Sequence, residues 1–109
     1  MIQQLTPPQA HDLVLRGDVE VIDVREPAEW STGHIAGARL VPLDQLLANP
    51  KGALTRDGIV FVCAAGVRSQ TAARIAVSLG FTRVYNLSGG TRGWTSAGLA
   101  LVNDLSVAV

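Results

Sequence analysis

The chain has 109 residues, enough for one domain that buries most of its apolar surface in a single core. Its 9 basic and 9 acidic side chains cancel without forming a charged run, so neither nucleic acid nor an anionic membrane is an expected partner. A single cysteine excludes an internal disulfide, and the sequence lacks a signal peptide and a membrane-spanning apolar run. We therefore expect one cytoplasmic domain over residues 1–109.

The first predicted element is a helix that begins after Thr6. Thr6-Pro7-Pro8-Gln9 is typical of a helix start, with an N-cap, prolines in the first turn and a capping-box glutamine. Leu5 is placed to pack on Ala10, and Gly17 is suited to end the helix. His11 is expected to face solvent without a function.

Residues 19–24 then read as a strand, followed by a short helix that begins at Pro27 and by a strand at 39–41. Trp30 is expected to anchor this short helix in the core. Polar side chains cluster at the strand ends here, namely Asp23, Arg25, Glu29 and His34. They form either an acid–base set or a set of ion pairs and hydrogen bonds that fixes the connection, and we favour the second interpretation.

The rest of the chain continues to alternate helices and strands. Helices are predicted at 43–48, ended by Asn49-Pro50-Lys51-Gly52, at 69–79, and around Trp94 up to Gly98. Gly80 is placed to end the middle helix, with Phe81 packing back on Ala76. Strands are predicted at 59–62 and 83–86. This alternation indicates an α/β fold, with a parallel sheet flanked by helices on both faces.

Cys63 follows the predicted central strand and precedes the 69–79 helix. Ligand sites of open α/β sheets lie beyond the carboxyl ends of the strands, so a loop here is expected to direct backbone N–H groups and a helix dipole at the thiol. Together with Arg68, these groups favour the thiolate, which is the nucleophilic form. The alternative is that Cys63 is a small apolar residue that ends a buried strand.

The last predicted segment, residues 99–109, is more apolar than a free terminus. We expect it to pack on its own domain, and the alternative is a surface for a partner or for self-association. The expected assembly is a monomer or a weak homodimer.

Three stretches resemble the rhodanese, or sulfurtransferase, family. Residues 23–30 with Gly33-His34-Ile35-Ala36-Gly37-Ala38 resemble its first motif, Cys63 to Ser69 its active-site loop, and Leu87-Ser88-Gly89-Gly90 with Trp94 its closing motif. The resemblance implies a rhodanese-like domain with a catalytic cysteine at Cys63. It also implies a substrate-binding cradle for the transferred sulfur, formed by Ala64, Ala65, Gly66, Val67, Arg68 and Ser69.

The same resemblance implies transfer of a sulfane sulfur from a donor such as thiosulfate to cyanide or a thiol through a persulfide on Cys63. The implied partners are a small-molecule donor and acceptor, with a thiol protein as an alternative acceptor. Related phosphatases and arsenate reductases place five residues between cysteine and arginine, whereas four stand here, which resembles the sulfurtransferase loop. A non-catalytic sulfide-sensing or protein-docking module is the alternative function.

No cofactor or metal is predicted. The two histidines, His11 and His34, stand too far from Cys63 in sequence for ordinary zinc-ligand spacing. The Gly89-Gly90 pair lacks the flanking pattern of a dinucleotide fingerprint and is better explained by close backbone packing.

Overall fold

A parallel sheet forms the middle of the protein in the computed structural model, which describes residues 1–103 and has five strands in that range. The strands are β1 (Ile2–Leu5), β2 (Glu20–Asp23), β3 (Arg39–Leu40), β4 (Ile59–Val62) and β5 (Val84–Leu87). They lie in the order β1-β5-β4-β2-β3, and all neighbouring pairs are parallel. The strand that leads to Cys63, β4, is therefore central.

Helices cover both faces of the sheet, so the predicted α/β architecture is confirmed. They are α1 (Pro7–Arg16), α2 (Pro27–Trp30), α3 (Leu43–Ala48), α4 (Pro50–Ala53), α5 (Arg68–Ser78) and α6 (Gly90–Ser96). Side chains of α3 and α5 pack on one face with Ile59 and Phe61 of β4, and side chains of α1 and α6 pack on the other with Val60 and Val62. Successive strand residues point to opposite faces, which is why all four residues of β4 are apolar.

Local sequence signals fix the ends of the two longest helices. At the start of α1, the Thr6 hydroxyl accepts the Gln9 N–H at 3.3 Å and the Gln9 side chain accepts the Thr6 N–H at 2.9 Å, forming the predicted capping box. Beyond α5, Gly80 has a left-handed φ of 97° and the Phe81 N–H donates to the Ala76 carbonyl at 3.2 Å. This is the predicted Schellman-type end.

Two predictions about aromatic rings are wrong. His11 is half-buried rather than solvent-facing, because its ring forms a T-shaped contact with Trp94, with centroids 5.7 Å apart. Trp30 is half-buried rather than a core anchor, and stacks on the His34 ring with centroids 3.5 Å apart. The helix α2 is a single turn without a buried residue, so it holds Trp30 at the edge of the core.

Two backbone segments also differ from the sequence pattern. Residues 2–5 were not predicted as a strand, yet β1 pairs with β5 along its whole length. Residues 49–52 end α3 as predicted, but the chain then continues directly into α4. The Asn49 side chain accepts the Gly52 N–H at 3.2 Å at the start of α4.

Residues 99–103 pack on their own domain. Their leucines contact the cluster on the α1 and α6 face, and Val102 exchanges two backbone hydrogen bonds of 2.8 Å with His34. Residues 104–109, the remainder of the predicted apolar tail, lie outside the described residues. Among residues 1–103, no helix has the length and apolar character needed to cross a bilayer.

Candidate active site

The loop after β4 holds Cys63 at the carboxyl edge of the sheet, as predicted. Cys63 is only 1 % exposed, and its carbonyl accepts the Thr91 N–H of α6 at 2.8 Å. The next carbonyl, that of Ala64, accepts the Arg92 N–H at 3.1 Å. Two strong backbone contacts thus hold the start of the loop against α6.

Close packing of glycines allows this contact. Gly90 has a φ of 59°, and a side chain there would overlap the Cys63 carbonyl oxygen and the Ala64 backbone. A Cβ on Gly66 would lie 3.1 Å from the Gly89 nitrogen. The predicted role of Gly89-Gly90 as a pair that permits close backbone packing is therefore confirmed.

Hydrogen bonds around the sulfur favour the thiolate. The Gly66 N–H donates to Cys63 Sγ at 3.1 Å, and the Ser69 hydroxyl lies 3.3 Å from the same sulfur. Burial raises the pKa of the Cys63 thiol, but hydrogen bonds from the Ser69 side chain and from the N–H groups of Ser69, Ala65 and Gly66 outweigh it. The net effect is a pKa below the ordinary value of the thiol.

The Ser69 hydroxyl connects the sulfur to a chain of side-chain amides that runs from the buried Asn86 to the exposed Gln4 and the half-buried Gln70. Ser69 is fully buried and donates to Asn86 Oδ1 at 2.5 Å. Asn86 in turn donates from Nδ2 to Gln4 Oε1 at 2.8 Å and to the Gly66 carbonyl at 3.3 Å. Gln4 then donates to Gln70 Oε1 at 2.8 Å. Side chains from β1, β5 and α5 therefore determine how the hydroxyl beside the thiol is oriented.

Arg68 forms a two-pronged ion pair with Glu29 of α2. Its Nη1 and Nη2 lie 2.7 and 2.8 Å from the two carboxylate oxygens. Arg68 and, to a smaller extent, the Glu26 N–H lower the pKa of Glu29 to about 2, despite partial burial. The Glu29 hydrogen bond also raises the pKa of Arg68, to which the nearby negative charge of Cys63 contributes.

A buried ion pair fixes the segment that carries Glu29. Asp23 and Arg25 are almost fully buried, and Arg25 Nη2 lies 2.8 Å from Asp23 Oδ2. The same guanidinium donates to the carbonyls of Gly33 at 2.7 Å and Glu29 at 3.3 Å. The set at the strand ends therefore joins two ion pairs, Asp23–Arg25 and Glu29–Arg68, which agrees with the structural interpretation favoured from the sequence.

Comparison with known proteins agrees with this geometry. The family model described as Rhodanese-like domain matches residues 6–97. The chain belongs to this family. It is 35% identical over 94 residues to a protein of Pseudomonas paraeruginosa named thiosulfate sulfurtransferase GlpE, covering 86% of this chain and 84% of that one.

Two further comparisons extend the likeness. An uncharacterised Bacillus subtilis protein, YqhL, is 43% identical over 75 residues, which are 69% of this chain and 60% of that protein. The solved structure of a rhodanese-related protein from Thermoplasma volcanium superposes with a TM-score of 0.83 at 29% identity, covering 92% of this chain and 97% of that one.

The rhodanese-like loop brings together some of the predicted site residues and leaves others at its rim. Cys63, Gly66 and Ser69 converge on the sulfur, whereas Val67 is 74% exposed at the loop tip and Ala65 is exposed. Ala64 contributes its carbonyl to the contact with α6. Among residues 1–103 no group of three metal-ligating side chains comes together.

Sequence reasoning did not find three features of the site. It did not assign Asn86 or Gln4 to the surroundings of Cys63, and it did not pair Glu29 with Arg68. The available signal was Asn86, a polar residue inside the predicted strand at 83–86. A buried side-chain amide requires hydrogen-bond partners, which indicates other polar groups near it.

Proposed function

We propose that the protein is a sulfurtransferase that moves a sulfane sulfur from a donor such as thiosulfate to cyanide or a thiol. The observation that carries the proposal is the buried Cys63 sulfur, with a lowered pKa, hydrogen-bonded to the Gly66 N–H and close to the Ser69 hydroxyl. The chain matches 84% of the length of relatives named thiosulfate sulfurtransferase. Their names support this reaction class.

In the first step the Cys63 thiolate attacks the outer sulfur of thiosulfate. A bond forms between Cys63 Sγ and that sulfur while the S–S bond of thiosulfate breaks, and sulfite leaves with the bonding electron pair. The negative charge then lies on the outer sulfur of a Cys63 persulfide. The N–H groups of the loop, of which that of Gly66 already donates to Sγ, are placed to stabilise this charge.

In the second step an acceptor attacks the outer sulfur. Cyanide forms a carbon–sulfur bond while the S–S bond of the persulfide breaks, so thiocyanate leaves and the Cys63 thiolate is restored. A thiolate acceptor reacts in the same way and leaves as a new persulfide. Neither step requires a cofactor, an oxidant or a reductant.

The test is the intact mass of the protein after incubation with thiosulfate. We expect a gain of one sulfur, about 32 Da, which cyanide removes, and ping-pong kinetics at steady state. Cys63→Ser should fold normally, as judged by circular dichroism, and gain no sulfur, because a serine hydroxyl is not ionised at neutral pH.

Two outcomes would contradict the proposed mechanism or reaction, and a third would contradict catalysis altogether. One is sulfur transfer by the serine variant. The other is turnover of an aryl phosphate by the wild type that exceeds its thiosulfate activity, which would place the enzyme with the related phosphatases. A protein that neither gains sulfur nor transfers it would instead support a non-catalytic module.

A further inference from the structure

The positive charge of the candidate active-site loop is neutralised by a residue outside the loop. Arg68 is the only cationic side chain between Cys63 and Ser69. Both of its terminal nitrogens are bound to the Glu29 carboxylate, at 2.7 and 2.8 Å. The two side chains are 37% and 34% exposed, so the pair is accessible to solvent, and Arg68 is near enough to Cys63 for the two charges to interact.

Glu29 is held in this position by its own helix. Its Oε1 also accepts the Glu26 N–H at 3.0 Å, in a capping box at the start of α2. Its carbonyl accepts a hydrogen bond from the buried Arg25 side chain at 3.3 Å. The carboxylate is thus anchored on the α2 side. While this pair persists, Glu29 occupies the fork formed by Nη1 and Nη2 and compensates the charge of Arg68, which weakens binding of an anionic donor.

This arrangement affects donors according to their charge. Thiosulfate carries two negative charges beside the sulfur that is transferred, so it gains most from a free guanidinium and loses most when the guanidinium is neutralised. An alkanethiosulfonate keeps the same sulfur–sulfonyl bond but carries one negative charge. A hydropersulfide of an uncharged thiol has no sulfonyl oxygens for Arg68 to bind.

We infer that Glu29 is a specificity-determining residue that, by pairing with Arg68, disfavours dianionic sulfur donors relative to donors of lower charge. The inference rests on the proposed sulfur transfer through Cys63. With an alkanethiosulfonate the Cys63 thiolate again takes the outer sulfur, and a sulfinate leaves with the electron pair. With a hydropersulfide the leaving group is the alkyl thiolate.

The experiment compares wild type, Glu29→Gln, Arg68→Ala and the double variant, with thiosulfate and with methanethiosulfonate. Glu29→Gln should raise kcat/KM for thiosulfate roughly tenfold, mainly through KM, because the Arg68 charge is no longer compensated. Arg68→Ala should lower the kcat/KM for thiosulfate below that of wild type, since an unpaired carboxylate then remains beside the loop. In the double variant this kcat/KM should be close to that of wild type. All of these changes should be smaller with methanethiosulfonate.

A matched control is available on α1. Asp12 forms an exposed ion pair with Arg16 at 2.9 Å, away from the loop. Asp12→Asn removes the same single negative charge as Glu29→Gln and should leave both kcat/KM values unchanged. Glutamine at position 29 keeps an oxygen for the Glu26 N–H, so α2 retains its capping box.

A second measurement does not depend on sulfur transfer. The rates of Cys63 alkylation by iodoacetate, an anion, and by iodoacetamide, which is neutral, are measured for the same proteins. Their ratio should rise in Glu29→Gln and not in Asp12→Asn. The inference is overturned if neither this ratio nor the kcat/KM for thiosulfate is higher in Glu29→Gln than in wild type. Absence of any persulfide in wild type overturns the proposed function alone, because the alkylation ratio still tests the role of Glu29.

Discussion

At the residue scale, the Ser69 hydroxyl has one hydrogen and two neighbouring acceptors. It donates to Asn86 Oδ1 at 2.5 Å, and Cys63 Sγ lies 3.3 Å away. In the thiol form the S–H donates to Ser69 Oγ and the hydroxyl donates to Asn86, so each group has a partner. In the thiolate form the sulfur can only accept a hydrogen bond, so the Ser69 hydroxyl stabilises the thiolate only if it turns from Asn86 Oδ1 and donates to Cys63 Sγ. Ionisation of Cys63 and the orientation of Ser69 are therefore coupled.

Ser69→Ala should raise the pKa of Cys63, because the side-chain hydrogen bond that lowers it is lost while burial remains. Alkylation by iodoacetamide at neutral pH should slow by roughly three- to tenfold, the effect of one hydrogen bond of about 1 kcal/mol. The pH profile of this rate separates a change in acidity from a loss of folded protein.

The control for this substitution is Ser78→Ala at the other end of α5. The Ser78 hydroxyl is exposed and donates only to the Ile75 carbonyl of its own helix at 2.7 Å. Its removal should leave the alkylation profile unchanged. A profile for Ser69→Ala that coincides with wild type would show that backbone N–H groups alone set the acidity of the thiol.

The sequence predicted part of this residue-scale picture. Cys63 and the N–H groups after it follow from a strand that passes through a short loop into a helix. Asn86 and Gln4 do not, because they meet only through the parallel pairing of β1 with β5, where Gln4 and Asn86 are register partners. Likewise, nothing in the local pattern at Glu29 indicates that its carboxylate reaches the loop after β4.

At the element scale, the start of α6 is fitted to the loop after β4. Gly90→Ala should destabilise the protein, since alanine disfavours the observed φ of 59° and its Cβ would overlap the Cys63 carbonyl. With the strain of overpacking added, we expect a loss of about 2–5 kcal/mol in the free energy of unfolding. Urea denaturation measures this loss.

Gly17→Ala is the matched control for this prediction. Gly17 also has a left-handed φ, 75°, but no atom lies within 4 Å of the position of a Cβ. Alanine there should cost only the backbone strain, about 1–2 kcal/mol. Equal losses in the two variants would contradict the idea that the approach of α6 to the loop is what excludes a side chain at position 90.

Helix ends were the most predictable elements, because capping residues act within a few positions of one another. The N-cap of α1 and the end of α5 at Gly80 follow from such local pairs. Strand β1 was missed because the sequence Ile2-Gln3-Gln4-Leu5 has little strand pattern of its own and is ordered by pairing with β5. The position of Trp30 likewise depends on where α2 packs.

At the scale of the whole molecule, acid should weaken the fold through carboxylates that are paired in the native state. Arg68 holds the pKa of Glu29 at about 2, against an ordinary value of 4.5. Hydrogen bonds from the Thr82 side chain and the Arg83 N–H hold the pKa of Asp57 below its usual range. Each lowered pKa increases the free energy of unfolding at pH values above the ordinary pKa of the group. This stabilisation is lost as the pH falls toward the pKa of the group in the native state.

We therefore expect the free energy of unfolding to decrease as pH falls from about 4.5 toward 2. Urea denaturation of wild type and of the variant with Glu29→Gln and Asp57→Asn checks this expectation. The variant should lose less stability over that interval, because it lacks the two groups that take up protons on unfolding. A constant difference between the two proteins from pH 7 to pH 3 would contradict it.

The architecture of the whole chain was predictable because helices and strands alternate and β4 is apolar throughout. Its strand order was not predictable from these patterns, since a parallel partner can lie anywhere along the chain. The order β1-β5-β4-β2-β3 is what unites Gln4, Asn86 and the Cys63 loop. Long-range pairing thus supplies the parts of the candidate site that local patterns omit.

The dependence of the loop on α6 and on β5 has a consequence during protein synthesis. While the ribosome still holds the segment that supplies Asn86, Thr91 and Arg92, the loop after β4 cannot form its contacts with β5 and α6. During this time the carbonyls of Cys63 and Ala64 lack their α6 partners, and Ser69 lacks Asn86. The hydrogen bonds that lower the pKa of Cys63 are then incomplete, so a smaller fraction of the thiol is ionised at neutral pH. We therefore expect the full acidity of the thiol to develop only after residues 84–96 have packed beside the loop.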